Sequence, residues 1–183
     1  DALTSGACNI AIGEDALGAS TTGCFNIAIG ELALGNAITT GKCNISLGRA
    51  SLLVLTTGLD NVAIGTDAMG AATTGCSNVA IGCLALGAGV TTGAANIAIG
   101  KCSLDALTSG ICNVAIGTNA LGQSTTGCSN VAIGDAALGQ ADTTGIDNVA
   151  IGRVAADVLT TGKCNIAIGA NAYGVATTGC LNI

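Results

Sequence analysis

Ten cysteines are the residues of this chain best suited to chemistry, and they occur in a sequence of 183 residues that has no histidine. Eight of them precede, by one or two places, an asparagine that recurs at a nearly constant interval along the whole chain. These eight are Cys8, Cys24, Cys43, Cys76, Cys112, Cys128, Cys164 and Cys180. Thiols form disulfides, ligate metals or act as nucleophiles, and the spacing of the cysteines decides among these uses.

Disulfide bonds between neighbouring units of the repeat are the use that this spacing favours. In three pairs the second cysteine follows the first by one place less than the repeat interval, so the two fall at nearly the same place in successive units. Units that stack about 4.8 Å apart bring the Cα atoms of such a pair within disulfide range. We therefore predict three bridges: Cys8/Cys24, Cys112/Cys128 and Cys164/Cys180. The partners sit one place apart in their units, so each bridge requires a corner conformation that points both side chains the same way.

A fourth candidate bridge joins Cys83 and Cys102, which occupy a different corner of adjacent units. Cys43 and Cys76 are left over. They lie two units apart, roughly 10 Å, which is too far for a direct bond, so we expect them to be free or intermolecular. Disulfides persist in oxidising compartments, and the sequence therefore predicts a secreted protein or one on a cell or virion surface.

Metal binding and catalysis lack the residues that they need. The sequence has no histidine and no Cys-x-x-Cys, so we expect no metal site and no cofactor. Among the 11 Asp and Glu residues, Asp15, Asp60, Asp67 and Asp147 sit at turn positions, where a solvated cap is the expected role. With no histidine base, no carboxylate dyad and no Gly-Lys-Ser/Thr phosphate loop, the sequence predicts a protein that is not an enzyme.

A repeat begins at each recurring asparagine and continues with Ile or Val, Ala or Ser, Ile or Leu, and then Gly. Every third interval between asparagines is one place longer than the other two, so three units make one superrepeat. The asparagines are Asn9, Asn26, Asn44, Asn61, Asn78, Asn96, Asn113, Asn130, Asn148, Asn165 and Asn182. A segment centred on Ala-Leu follows, and then Thr-Thr-Gly, which is Thr-Ser-Gly at Thr4 and Thr108. The pattern predicts short strands joined at tight corners in all three segments.

The composition requires a thin, layered core, because half of the residues are apolar but only 1% are aromatic. We expect one domain over 1–183, an all-β parallel β-solenoid (β-helix or β-roll) of about ten coils of about 17–18 residues, with a superrepeat of about 52 residues. Like residues then stack on like, giving an Asn ladder, two Ile/Val ranks, an Ala/Ser rank and a Thr rank. The Thr rank comprises Thr4, Thr21, Thr39, Thr56, Thr73, Thr91, Thr108, Thr125, Thr143, Thr160 and Thr177.

The third unit of each superrepeat departs from the other two, because the Gly after the Ala-Leu segment is replaced there by Leu53, Asp105 or Asp157. One side of the rod therefore changes character every third coil. We expect this period to match something outside the chain, such as a neighbouring rod. Both ends of the sequence fall inside a unit, so we also expect a piece of something longer or a rod that polymerises end to end.

Charge and hydropathy exclude two kinds of partner. The net charge is −6 with only five Lys and Arg, so no basic stripe exists to neutralise a nucleic acid backbone. No run of about 18 apolar residues occurs, so we expect no insertion into a membrane.

The unit Asn-Ile-Ala-Ile-Gly-x-x-Ala-Leu, closed by Thr-Thr-Gly, resembles the head repeats of trimeric autotransporter adhesins and related repeats of phage and viral fibres. The match runs residue by residue at Asn26–Gly30 and Ala33–Leu34, and it recurs over essentially the whole chain. The resemblance implies an extracellular, fibrous β-roll that forms trimers and binds host or matrix surfaces. The coils of this chain are longer than those of that family and richer in cysteine, which favours a fuller, three-sided cross-section.

Two functions fit these observations. The first is a structural element of an extracellular fibre or of an adhesin-like shaft, stabilised by disulfides between coils and associating with itself end to end or laterally. The second is an ice-binding protein that uses the Thr rank on a flat solenoid face. Adjacent threonines point to opposite sides of a strand, so Thr-Thr gives one outward rank where Thr-x-Thr would give two.

Overall fold

The computed structural model describes residues 4–183 as one parallel sheet of ten short strands, and no helix occurs in that range. The strands are β1 (Ile10–Ile12), β2 (Ile27–Ile29), β3 (Ile45–Leu47), β4 (Val62–Ile64), β5 (Val79–Ile81), β6 (Ile97–Ile99), β7 (Val114–Ile116), β8 (Val131–Ile133), β9 (Val149–Ile151) and β10 (Ile166–Ile168). Each strand pairs with the strands before and after it in the sequence, so every coil contributes one strand. The predicted all-β solenoid is confirmed. None of the described residues belongs to a helix long and apolar enough to cross a membrane.

The register of the sheet places each unit directly on the equivalent residues of the next. Ala63 pairs with Ala80 and Ile64 with Ile81, and the same correspondence holds at every strand pair. The insertion of one residue in every third interval therefore falls outside the strands. Stacking in register makes the molecule a rod in which each coil contacts only its neighbours.

Only the first of the three predicted segments is a strand; the prediction of strands in the Ala-Leu and Thr-Thr-Gly segments was wrong. In the Ala-Leu segment, Leu84 and Leu86 have φ of 56° and 51°, in the left-handed region, and equivalent residues do so in each coil. Tight turns result, with Ala85 N donating to Gly82 O at 3.3 Å and Gly87 N to Leu84 O at 3.2 Å. A left-handed L-residue costs about 1–2 kcal/mol. Complete burial of Leu86 offsets that cost.

The core consists mainly of alanine, leucine and asparagine, and the β-branched residues of the strands lie outside it. Ala80, at the centre of β5, is fully buried, whereas Val79 and Ile81 face outward. A side chain larger than alanine at the strand centre would have to share the narrow interior with the buried Leu86. The glycine after each strand allows the next coil to approach: Gly82 has φ +133°, and a Cβ there would lie 2.7 Å from the carbonyl carbon of Gly100.

The three-coil period coincides with a pattern of buried side chains inside the rod, and its predicted match to something outside the chain stays a prediction. One interior position, ahead of the Thr-Thr-Gly turn, is filled in turn by a small residue, a threonine and a leucine, all fully buried. The first superrepeat has Ser20, Thr39 and Leu55 there. Ser20 Oγ donates to Thr39 O at 3.2 Å, and Thr39 Oγ1 donates to Leu55 O at 2.8 Å. The extra residue of the longer coil turns the first threonine of the Thr-Thr-Gly segment inward. Along the rod, this interior position is therefore filled by a small, a medium and a large side chain in turn.

Candidate functional site

The asparagines form a continuous ladder along the inside of the rod, buried from Asn26 to Asn165. Asn78 Oδ1 accepts from the backbone N of Asn96 at 2.9 Å and from its Nδ2 at 3.1 Å. Asn78 Nδ2 also donates to Gly93 O at 3.0 Å, in the Thr-Thr-Gly turn of the following coil. All eleven predicted asparagines take part, from Asn9 to Asn182. No buried side-chain nitrogen or oxygen among residues 4–183 lacks a hydrogen-bond partner.

The outward residues of the ten strands form what we call the aliphatic face, two parallel ranks with one residue of each rank per strand. The first rank is Ile10, Ile27, Ile45, Val62, Val79, Ile97, Val114, Val131, Val149 and Ile166, and the second is Ile12, Ile29, Leu47, Ile64, Ile81, Ile99, Ile116, Ile133, Ile151 and Ile168. Neither rank contains a charged or polar residue. In the middle of the rod, Ile81 and Ile116 each remain 37% exposed although they are stacked between like neighbours.

The aliphatic face is comparable in area with the largest apolar patches that soluble proteins expose. Ten strands about 4.8 Å apart span about 43 Å, and alternate residues of one strand lie about 7 Å apart, so the area between the rank axes alone is roughly 300 Å². The largest contiguous apolar patch on a typical monomeric protein is about 300–600 Å² and is often functional, so the aliphatic face is a candidate interaction site. The sequence predicted the two ranks but not that they face outward.

The two surface positions before each ladder asparagine form the cysteine edge, which adjoins the aliphatic face and holds the eight cysteines named above. The residue next to the asparagine has φ between 56° and 59° in every coil. Regular strand geometry would turn one of the two side chains inward. The left-handed residue instead lets both face outward, as Cys24 and the 59%-exposed Phe25 do. This is the corner conformation that the predicted disulfide pairs require.

All ten thiols are free in the structure, so the disulfide pairs remain predictions. The cysteines immediately before an asparagine, such as Cys8, are exposed. Cys24 and Cys76, one place earlier in their units, are partly buried, and the Sγ of each lies 3.4 Å from the carbonyl oxygen of the second threonine of its own turn. Cys43 and Cys76 lie on coils separated by the coil of Asn61, as predicted from their spacing.

The remaining pair, Cys83 and Cys102, lies on adjacent coils at a different corner, and the backbone N of Cys102 donates to Cys83 O at 3.0 Å. Partial burial raises the pKa of the Cys102 thiol above its ordinary value, and the negative charge of Asp105 raises it further. Cys102 is therefore a weaker nucleophile at neutral pH than an ordinary exposed thiol.

The outer threonines, most of whose hydroxyls donate to a carbonyl of the next coil, form what we call the threonine ladder. This ladder differs from the predicted Thr rank in the three longer coils. Thr39, Thr91 and Thr143 are buried inside the rod there. Their neighbours take over the outer position: Thr40 donates both N and Oγ1 to Thr56 O, as Thr4 does to Thr21 O. Most ladder hydroxyls are thus donated to the carbonyl of the next coil, and in the shorter coils only the second residue of the Thr-Thr-Gly segment is freely exposed.

No group of three or more His, Cys, Asp and Glu residues in the part of the chain that the structure describes could hold a metal ion. An open hollow of about 440 Å³ is lined by Asn119, Gln123, Ala136, Gly139 and Gln140. Its amides can form hydrogen bonds, but no titratable group lines it for acid–base chemistry.

Comparisons of the chain with protein-family models, with curated protein sequences and with solved structures find no match. The resemblance to adhesin head repeats therefore continues to depend on the repeat motif alone.

Proposed function

We propose that this chain is a structural building element of an extracellular fibre or adhesin-like shaft, whose rods associate laterally through the aliphatic face. The observation that carries the proposal is the pair of outward aliphatic ranks, uninterrupted by a polar residue along ten coils. A patch of this length and uniformity favours a long apolar partner, and a second rod of the same kind offers an equally long one.

Approximate energies favour contact along the whole rod over contact at a single point. Two faces together remove roughly 600 Å² of apolar surface from water, which contributes about 15 kcal/mol at about 25 cal/mol per Å². Association costs about 4–15 kcal/mol in lost freedom and side-chain ordering. A contact limited to one superrepeat would recover only about a third of the gain. Long rods held in register therefore associate more readily than short ones, which suits a fibre.

The interior of the rod supports a mechanical role. The Asn ladder and the in-register strands join each coil to the next by the same set of hydrogen bonds, so stiffness does not depend on any single site. With no histidine in the sequence and no metal cluster among the described residues, we propose a passive role without catalysis or cofactor. The cysteine edge suits an oxidising, extracellular environment, where bridges between coils would stiffen the rod further.

Ice binding through the threonines is less well supported by the contacts. A ladder hydroxyl such as that of Thr56, which donates to Thr73 O at 2.9 Å, is already used inside the protein. One freely exposed rank remains at the second threonine of the turns, whereas a flat ice-binding surface needs two.

Electron microscopy of the purified chain at neutral pH, with and without a reductant, tests the proposal. We expect laterally paired or bundled rods in both conditions, because the aliphatic face does not depend on disulfides, and greater length or stiffness without the reductant. Single, separate rods in both conditions would overturn lateral assembly. If such rods also inhibited ice recrystallisation, and Thr57→Val, Thr74→Val and Thr126→Val together abolished that effect, ice binding would replace the fibre.

A further inference from the structure

We propose that Cys8, Cys24 and Cys43 form a thiol–disulfide exchange site in which Cys24 is the shared sulfur, bonded to Cys8 or to Cys43 in turn. The site does not require lateral association of rods. It revises the pairing predicted from the sequence, which gave Cys24 to Cys8 and left Cys43 over.

The three cysteines occupy the cysteine edge on three consecutive coils. Cys24 pairs with Lys42 across the coils, and the backbone N of the next residue, Cys43, donates to Cys24 O at 3.1 Å, so Cys43 lies diagonally across from Cys24. On the other side of Cys24, the equivalent bond runs from Phe25 N to Ala7 O at 3.0 Å, so Cys8, the residue after Ala7, also lies diagonally across from Cys24 at the same edge. Cys24 has one neighbouring thiol on the coil before it and another on the coil after it.

The relation between Cys24 and Cys43 is repeated by Cys83 and Cys102. In both pairs the earlier residue accepts the backbone hydrogen bond of the later one, at 3.1 Å and 3.0 Å, and the later residue is left-handed, with φ of 59° and 54°. The backbone relation that makes Cys83 and Cys102 a candidate bridge therefore also makes Cys24 and Cys43 one.

The order of the three sulfurs suits displacement at the middle one. Exchange proceeds by attack of a thiolate on one sulfur of a disulfide, and the leaving sulfur departs on the opposite side. Because coils stack along the rod, Cys8 lies on the coil before Cys24 and Cys43 on the coil after it, so either thiolate can approach Cys24 while the other leaves. Both outer thiols are exposed and accessible to a base or an oxidant, whereas Cys24 is partly buried against its own turn.

The chemistry balances in two steps. A low-molecular-weight disulfide, such as oxidised glutathione, first takes two electrons and two protons from Cys8 and Cys24, which become bonded, and leaves as two thiols. The Cys43 thiolate then attacks Sγ of Cys24, the bond from Cys24 to Cys8 breaks, and Cys8 departs as a thiolate that takes a proton from water. The second step is reversible and needs no further oxidant.

The other superrepeats supply an internal comparison. Cys112 and Cys128 repeat the relation of Cys8 and Cys24, but the position equivalent to Cys43 is Asp147, whose backbone N donates to Cys128 O at 3.2 Å. Cys128 therefore has a single thiol neighbour, and its bridge cannot be exchanged within the chain.

Peptide mapping of the full chain tests the site. The folded protein is equilibrated with a mixture of reduced and oxidised glutathione, quenched with iodoacetamide and digested without reduction by trypsin and Asp-N protease. Cleavage before Asp15 and after Lys42 puts the three cysteines on separate peptides. We expect two pairs of linked peptides. Molecules with the Cys8–Cys24 bridge carry the alkyl group on Cys43, and molecules with the Cys24–Cys43 bridge carry it on Cys8. Cys24 is alkylated in neither. The peptide that holds Cys112 and Cys128 shows one internal bridge.

Two serine variants separate the pairings without disturbing the buried ladder. Cys8→Ser should give only the Cys24–Cys43 bridge, and Cys43→Ser only the Cys8–Cys24 bridge. In each variant the yield of that one bridge should equal the summed yield of both bridges in the wild type. A single linkage in the wild type, or free Cys24 and Cys43 thiols in the folded Cys8→Ser variant, would overturn the proposal.

Discussion

Asn96 Oδ1 accepts two hydrogen bonds from Asn113, one from its backbone N at 3.0 Å and one from its Nδ2 at 3.1 Å. Both residues are fully buried, and Asn96 Nδ2 donates to Gly110 O at 2.9 Å. One side chain therefore satisfies buried groups on the coil that follows it, and the same arrangement continues along the rod. An amide of this size and shape is required at that place because it accepts and donates at once.

Replacing Asn96 by alanine should lower the stability of the rod markedly. The change leaves the backbone N of Asn113 and the O of Gly110 without partners in a buried site, and it removes one of the two hydrogen bonds of Asn113 Nδ2, which keeps Gly127 O; together these losses cost about 2–4 kcal/mol. Urea unfolding followed by circular dichroism measures the loss. Asn36→Ala is the control, since that side chain is exposed and forms no hydrogen bond within the described residues. Equal stabilities for the two variants would show that the ladder is not a source of stability.

Alanine substitutions at two glycines should separate backbone strain from crowding between coils. Gly82 and Gly169 both have positive φ, +133° and +121°. A Cβ at residue 82 meets Gly100, whereas nothing lies within 4 Å of one at residue 169. We expect Gly169→Ala to cost about 1–3 kcal/mol from the strained φ alone, and Gly82→Ala to cost more or to prevent folding. Thermal unfolding of both variants tests the difference, and a larger loss for Gly169→Ala would contradict the close approach of the coils.

The two threonines of one turn should respond differently to valine. Thr56 Oγ1 donates to Thr73 O at 2.9 Å, so Thr56→Val loses a hydrogen bond at constant shape and should cost about 1 kcal/mol. Thr57 is exposed, and Thr57→Val should leave the unfolding midpoint unchanged. Chemical denaturation of the two variants checks the ladder. The reverse order of effects would mean that the second threonine carries it.

Alkylation of the reduced protein should show a slow cysteine at position 102. Burial and the charge of Asp105 raise the pKa of the Cys102 thiol, so at a given pH less of it is thiolate and its alkylation rate rises at higher pH than that of an ordinary thiol. Asp105→Asn removes one of the causes and should accelerate alkylation at pH 8. The alkylation rates of Cys102 in the two proteins, measured by mass spectrometry across pH 7–10, test this prediction. An unchanged rate in Asp105→Asn would rule out the electrostatic contribution.

Much of the fold could be predicted from the repeat, because its period fixes how units stack. The period predicted the parallel coils and which residues share a rank. The turns of the Ala-Leu segment could not be predicted, since left-handed Leu84 and Leu86 have no glycine or asparagine to indicate them. Burial of the leucine in a narrow interior determines that conformation, and burial depends on neighbouring coils.

The orientation of the aliphatic face, by contrast, was implied by the sequence. In a strand, residues two apart share a side. If the amide of Asn78 stacks inside, Ala80 must also lie inside, and Val79 and Ile81 outside. What misleads is the usual expectation that β-branched residues fill a core. The inward threonines at Thr39 and its equivalents were missed for a different reason, because the inserted residue shifts the side on which each threonine falls.

Sedimentation velocity of the reduced protein over a range of concentrations tests lateral association through the aliphatic face most directly. The wild type should sediment as a dimer or larger species that dissociates on dilution toward the 17.3 kDa chain. The triple variant Ile64→Lys, Ile81→Lys and Ile116→Lys should remain monomeric at all concentrations. A matched variant with three lysines on the exposed threonines, Thr57→Lys, Thr74→Lys and Thr126→Lys, should behave as the wild type. A wild type that stays monomeric, or a face variant that associates as strongly as the wild type, would contradict the account.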